Sequence, residues 1–278
     1  MKNIHPMNTY FQNKTILITG AASGIGRRFA EKVAAKGVSR LILWDRNPDT
    51  LREVAEGISD EVDVITHGVD VSSEDSVSTD AGKLLQMDVV PDLVVNCAGI
   101  VAGKKMFHEH DMGDIKRTID INTTGSMWVA HAFLNGMIER GSGHIVNLAS
   151  ASGYIGNPYM SVYAASKWAV IGWSESLRLE MDRMNSGVTI TAVIPSYIKT
   201  GMFDGVKPPL LVPLLETDQM VDLMMKGISK KKNKIQAPFM VRFVPLIKSI
   251  LPSAAFDWVA GNLLGVYGSM ETFKGREK

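Results

Sequence analysis

Six short apolar runs rich in β-branched residues recur along the first two thirds of the chain. They are KTILIT (14–19), RLILWD (40–45), VDVITHGVDV (62–71), DLVVNCAG (92–99), HIVNLAS (144–150) and VTITAVIP (188–195). Runs that are apolar on both sides of the strand fit a sheet buried on both faces, which is the setting of parallel strands. Helical patterning fills the gaps at 24–37, 47–58, from about 73, at 111–139 and at 160–184. Those gaps are long enough for right-handed crossovers, so the expected fold is α/β, a doubly wound parallel sheet flanked by helices. No repeat, low-complexity segment or linker divides the 278 residues. A single domain is expected, with a nucleotide-binding and catalytic core over about 14–205. A substrate loop and a C-terminal helical extension should follow over about 196–278.

Bulk properties narrow the function. The chain is 45% hydrophobic and 21% charged, with a net charge of +1. That balance gives no electrostatic footprint for nucleic acid. The one cysteine, Cys97, fits a reducing, cytoplasmic compartment. The start, MKNIHPMNTYFQNK, lacks the apolar core of a secretory signal, so the sequons at Asn13 and Asn122 read as chance matches. Residues 237–270 are apolar but broken by Arg242, Lys248, Asp257, Pro238, Pro245 and Pro252. No run approaches the roughly 20 apolar residues of a membrane-spanning helix.

TGAASGIG (19–26) lies where the first strand becomes the first helix. Its glycines allow a tight turn and a close approach of backbone to a pyrophosphate, which the helix N-terminus would attract. Gly20, Ser23, Gly24, Ile25 and Gly26 are the residues expected to face it in a Rossmann-type arrangement. Asp45 ends the second strand nineteen residues after Gly26. A carboxylate there accepts from an adenosine ribose and repels a 2′-phosphate, favouring NAD over NADP. Arg46 beside it is the residue that would receive such a phosphate. Asp70 and Val71 follow the third strand, with Asp70 placed for the adenine edge. Asn96, Ala98 and Gly99 end the fourth, where Asn96 and Gly99 hold the strand end and let the cofactor pass. Each of these features alone has a plainer reading as turn chemistry.

YMSVYAASKWAV (160–171) carries Tyr163 and Lys167, four apart and therefore on one face of a helix. The spacing by itself is weak evidence, because Tyr10 and Lys14 repeat it near the start. Asn122 alone reads as a core hydrogen-bonder, and Ser150 alone as a strand-end hydroxyl.

Taken in order along the chain, these motifs resemble the short-chain dehydrogenase/reductase family. The match runs from TGAASGIG through Asp45, Asp70-Val71, NCAG (96–99), Asn122, Ser150, Tyr163 and Lys167 to Pro195, over about 14–205. The resemblance implies a catalytic set of Asn122, Ser150, Tyr163 and Lys167. It also implies cofactor contacts from Tyr163, Lys167, Pro195, Ile198 and Thr200, the last to a nicotinamide carboxamide. No metal ligand is implied. Ser152 competes with Ser150, which is preferred for its place at the strand end. Pro195-Ser196 stands where the family has Pro-Gly.

The chemistry suits these groups. A tyrosine with a pKa of about 10 is a poor base at neutral pH, and a nearby ammonium should lower it. Lys167 is expected to do so and to hold the nicotinamide ribose. Ser150 would orient and polarise the substrate oxygen, and Asn122 would fix a water that leads to Lys167. The expected activity is hydride transfer between NAD(H) and a secondary alcohol or ketone. Two alternatives remain open: a non-catalytic NAD-binding scaffold, and an epimerase or dehydratase on the same fold.

The substrate pocket should be closed by residues 196–228, among which GVKPPLLVPLLE (205–216) is apolar and proline-rich. KGISKKKNK (226–234) followed by the 237–270 region reads first as a solvated helix end before core helices. The second reading is an interfacial patch for peripheral membrane contact. A likeness of this region to family branches acting on lipids, steroids and retinoids points to an apolar substrate. Helix 160–184 is apolar on more than one side (Val162, Trp168, Val170, Trp173, Leu177, Met181), which fits a homodimer or homotetramer.

Overall fold

The computed structural model describes residues 6–210 and 212–275. Its strands are β1 (Thr15–Thr19), β2 (Arg40–Asp45), β3 (Asp63–Gly68), β4 (Leu93–Asn96), β5 (Gly143–Leu148) and β6 (Val188–Pro195). After these come two-residue strands β7 (Ile198–Lys199) and β8 (Leu215–Glu216), which pair with each other, and then β9 (Lys234–Ala237). The main sheet has seven strands in the order β3–β2–β1–β4–β5–β6–β9, and every neighbouring pair is parallel. The chain winds outward from β1 in both directions, so a crevice opens at the carboxyl ends of β1 and β4, where open α/β sheets bind ligands.

Alternation along the strands builds two cores. Ile16, Ile18, Leu41 and Leu43 point to one face, with Phe29 and Val33 of α2 (Gly24–Ala34), Leu51 of α3 (Pro48–Glu56) and Met220 and Met224 of α8 (Thr217–Ser229). Leu17, Ile42 and Trp44 point to the other. There they meet Leu84 of α4 (Glu74–Gln86), Phe133 of α6 (Gly125–Glu139) and Leu177 of α7 (Ser161–Arg183). The strand period of two makes both faces apolar, as the near-continuous apolar runs require.

Four expectations change. The helical tract 111–139 is broken: α5 (Met112–Ile119) ends in a turn of π-helix, Asp120–Thr124, before α6 begins. Residues 217–228 do not close a pocket, because α8 buries Met220, Val221, Met224, Met225 and Ile228 against the sheet. The basic run and the apolar 237–270 region are not one patch. Lys230, Lys231 and Lys232 precede β9 and the apolar region follows it, so they lie at opposite ends of the sheet. Nor is that region a set of core helices: α9 (Val244–Ile250) buries none of its residues, and α10 (Ser253–Trp258) buries only Phe256. Residues 1–5 of the N-terminal segment, and Leu211 of the 205–216 loop, lie outside the described residues.

The second Tyr-x-x-x-Lys pair does not share a helix. Tyr10 belongs to α1 (Pro6–Phe11), and Lys14 directly precedes β1. Tyr10 is a packing residue whose hydroxyl donates to His144 Nδ1 over 2.6 Å.

Candidate active site

The crevice is lined along its length by residues the sequence singled out. Gly20, Ser23, Gly24, Ile25 and Gly26 form one wall; Asp45, Arg46, Asp70 and Val71 lie towards one end. Ala98 and Gly99 face the turn, and Ser150, Tyr163 and Lys167 lie beyond them with Pro195, Ile198 and Thr200.

Backbone packing dictates the glycine turn. Gly20 has φ +66°, and a Cβ there would sit 2.9 Å from Ala98 Cα. A Cβ on Gly26 would lie 2.3 Å from the Gly20 carbonyl oxygen. Only glycine lets these segments meet and leaves the N-terminus of α2 open to the crevice. Thr19 completes the junction: its Oγ1 accepts from the N–H groups of Cys97 (3.1 Å) and Ala98 (3.2 Å).

Asp45 is fixed at the end of β2. Its carboxylate accepts from the backbone N–H of Ala22 and of Asn47, each at 3.1 Å. Asp70 accepts from the N–H (2.9 Å) and hydroxyl (2.6 Å) of Ser72. Burial works against its charge, but those bonds and the cations Arg46 and Arg117 hold its carboxyl below the ordinary value.

Asn96 and Asn122 do not line the crevice; both are buried behind it. Asn96 Nδ2 donates to Ser126 O and Asn147 Oδ1, tying β4 to α6 and β5. Asn122 sits in the π-helical turn. Its Oδ1 accepts from Ile100 N at 2.8 Å, and its Nδ2 donates to Ile100 O at 2.9 Å and Ser166 Oγ at 3.0 Å. One side chain thus clamps the loop after β4 to the helix carrying Lys167. A Cβ on Gly99 would be 3.3 Å from Asn122 Oδ1 and 3.6 Å from Lys167 Nζ, so both groups converge there.

Ser150 follows β5, is 6% exposed, and accepts from the N–H of Ser152 through Oγ. It lines both the crevice and a second pocket, whereas Ser152 lines only the second. Tyr163 is buried among Met160, Tyr197 and Phe273, with the Phe203 ring edge-on at 6.1 Å. Lys167 Nζ donates to Leu148 O at 2.8 Å and lies 5.7 Å from the Tyr163 ring centroid.

The protonation balance corrects one expectation. Burial pushes Tyr163 up to about 12, although its hydrogen bond with Ser150 opposes the rise. Burial also pulls Lys167 down to about 8, against the raising influence of Cys97. Lys167 therefore does not bring Tyr163 below its ordinary value, because desolvation disfavours the charged form of both groups. Burial thus favours the neutral phenol of Tyr163 and weakens the hold of Lys167 on its proton.

The second pocket begins at Ser150, Ser196 and Phe203, which it shares with the crevice. Its remaining walls are mostly apolar. Pro209, Leu210 and Val212 come from the 205–216 loop, and Val241, Val244, Ile247, Phe256 and Val259 from the C-terminal extension. Phe203 and this far wall carry no motif; apolar side chains in an irregular segment look the same whether they pack a core or line a cavity.

A crevice at the switch point of a doubly wound sheet, ending in a Ser-Tyr-Lys cluster, defines a dinucleotide-linked oxidoreductase architecture. The family model described as short chain dehydrogenase matches residues 14–210. The chain is 33% identical to "Epidermal retinol dehydrogenase 2" of Mus musculus, over 95% of this chain and 86% of that one. It is 34% identical to "Estradiol 17-beta-dehydrogenase 11" of Homo sapiens, over 85% of this chain and 79% of that one. Among solved structures it is similar to a short-chain dehydrogenase from Sphingobium yanoikuyae in complex with NADPH. That pair has a TM-score of 0.75 and 29% identity, covering 87% of this chain and 97% of that chain. A short-chain dehydrogenase/reductase from Burkholderia phymatum in complex with NAD gives a TM-score of 0.77 and 26% identity, covering 86% and 94%. The chain belongs to the short-chain dehydrogenase family, a family of oxidoreductases. Among the described residues, no helix is long and apolar enough to cross a membrane.

Proposed function

We propose that the chain is an NAD(H)-dependent oxidoreductase that interconverts an apolar secondary alcohol, of lipid, steroid or retinoid type, and its ketone. One observation above all supports this: the apolar pocket opens onto Ser150, beside Tyr163, at the inner end of the glycine-turn crevice. Relatives with retinol and estradiol dehydrogenase names agree with an apolar alcohol as substrate.

The residues fit a dinucleotide. Gly20 and Gly26 let the turn pack against Ala98 and against itself, which leaves the start of α2 lining the crevice, and Asp45 lines the same crevice. Asp45, oriented by two N–H donors, would accept from ribose hydroxyls and repel a 2′-phosphate, which favours NAD. Arg46 borders the same end and leaves NADP the minor cofactor. When bound, the nicotinamide ring supplies the exchange of hydride with the substrate carbon. Tyr163, a phenol at neutral pH, donates its proton to the ketone oxygen, and Ser150 donates a hydrogen bond to the same oxygen. In the reverse direction Tyr163 needs a cation nearby, and Lys167 is placed to be one. Asn122 holds the loop and the helix that bring these groups together.

The outward side of α7 carries the exposed Trp168 and Leu179, which fits pairing with a second copy. The direct test is initial-rate turnover of steroid, retinoid, aliphatic and sugar alcohols with NAD and with NADP. Turnover concentrated in apolar secondary alcohols with NAD is expected. Preference for sugar alcohols, or for NADP throughout, contradicts the proposal.

A further inference from the structure

A set of exposed apolar side chains lies on the segment that also lines the apolar pocket. Phe239 (61% exposed), Phe243, Leu246 (55%) and Ile250 (68%) recur at steps of four, three and four, one face of a helical segment. Trp258 and Leu263, further along the C-terminal extension, are also exposed. The inner side of the same segment lines the pocket through Met240, Val241, Val244 and Ile247.

Charge selects what covers this surface. Between Phe239 and Phe256 the charged residues are Arg242 and Lys248, with no acid among them. The Arg242 guanidinium lies 5.1 Å from the Phe239 ring centroid, and Lys248 Nζ lies 4.4 Å from that of Trp168. The next acid, Asp257, accepts from the Tyr267 hydroxyl. Apolar side chains flanked by tryptophan and by cations on long aliphatic stems match the boundary between lipid headgroups and acyl chains. A bare apolar patch of this kind facing water is costly in a monomer.

We infer that residues 239–251, with Trp258 and Leu263, dock in the plane of an anionic phospholipid bilayer and seat the pocket mouth on its acyl region. The substrate then passes from lipid to Ser150 without crossing water. This builds on the apolar substrate proposed above, but its test needs no turnover. The lysines of the 226–234 run, at the other end of the sheet, take no part.

Vesicle co-sedimentation of the full chain decides it. Binding to phosphatidylserine-containing vesicles is expected, and weaker binding to phosphatidylcholine alone. Leu246→Glu with Ile250→Glu should weaken binding at least about tenfold, since each removes a buried aliphatic side chain from the lipid. Neither residue lines the pocket, so turnover of a short, water-soluble secondary alcohol should stay unchanged, which also shows that the variant folds. Arg242→Glu should cut binding to the anionic vesicles and not to phosphatidylcholine. A wild-type chain that ignores both vesicles yet oxidises apolar alcohols overturns the docking surface and leaves the proposed activity standing. A chain that sediments with anionic vesicles but oxidises no alcohol contradicts the activity and leaves the docking surface standing. A dimer broken by the double variant, with vesicles without effect, gives the face to a second copy and overturns the docking surface.

Discussion

His144 shows how one buried group ties distant parts of the chain together. Thr191 Oγ1 donates to the Lys232 carbonyl, so it must accept from His144 Nε2–H at 2.7 Å. That leaves Nδ1 to accept from Tyr10, and the ring is neutral. Burial, reinforced by Lys231 and Lys14, pulls its pKa from 6.5 to about 3. The unfolded chain takes up the proton first as pH falls below 6.5. Stability from the neutral ring is therefore full above pH 6.5 and lost progressively toward pH 3. Chemical denaturation from pH 7 to 4 should show this loss, and His144→Gln should flatten the dependence. Tyr10→Phe should cost about 1–3 kcal/mol, because it leaves a buried nitrogen unpaired, with turnover unchanged. Equal denaturation midpoints for that variant and the wild type would contradict the relay.

Among the elements, the π-helical turn Asp120–Thr124 matters most to the site. It turns Asn122 inward to clamp the loop after β4 against α7, and such turns are common at functional sites. Asn122→Ala should cost about 2–3 kcal/mol in denaturation, from the lost buried hydrogen bonds. It should also lower kcat by about ten- to a hundredfold through misplacement of Lys167. The interior strands were legible because parallel strands buried on both faces leave an unambiguous apolar run. The π-helical turn was not, since 111–139 keeps a helical pattern throughout. Edge strand β9 was hidden too: Lys234-Ile235-Gln236-Ala237 is short, half polar and preceded by lysines. Asn96 reads from its strand-end position as holding the strand end where the cofactor would pass. Sequence could not show that its amide turns away to Ser126 and Asn147.

At the scale of the molecule, two cavities meet at Ser150, Ser196 and Phe203. The sheet and its glycine turn build the crevice. The 205–216 loop and the C-terminal extension build the apolar pocket. The first is the proposed cofactor site, where Asp45→Ser should shift the ratio of kcat/KM for NADP over NAD upward by about tenfold or more. No shift would mean that Asp45 does not face the ribose. The second is the proposed substrate site, and its far wall is surface-exposed on its other side.

Both cavities serve the claim that Tyr163 moves the proton at the shared end. The most direct measurement compares wild type and Tyr163→Phe in steady-state oxidation of an apolar secondary alcohol, alongside NADH binding by fluorescence. The expected result is a fall in kcat of about 10²–10⁴-fold with NADH affinity nearly unchanged. Near-normal turnover in the Phe variant would contradict the account.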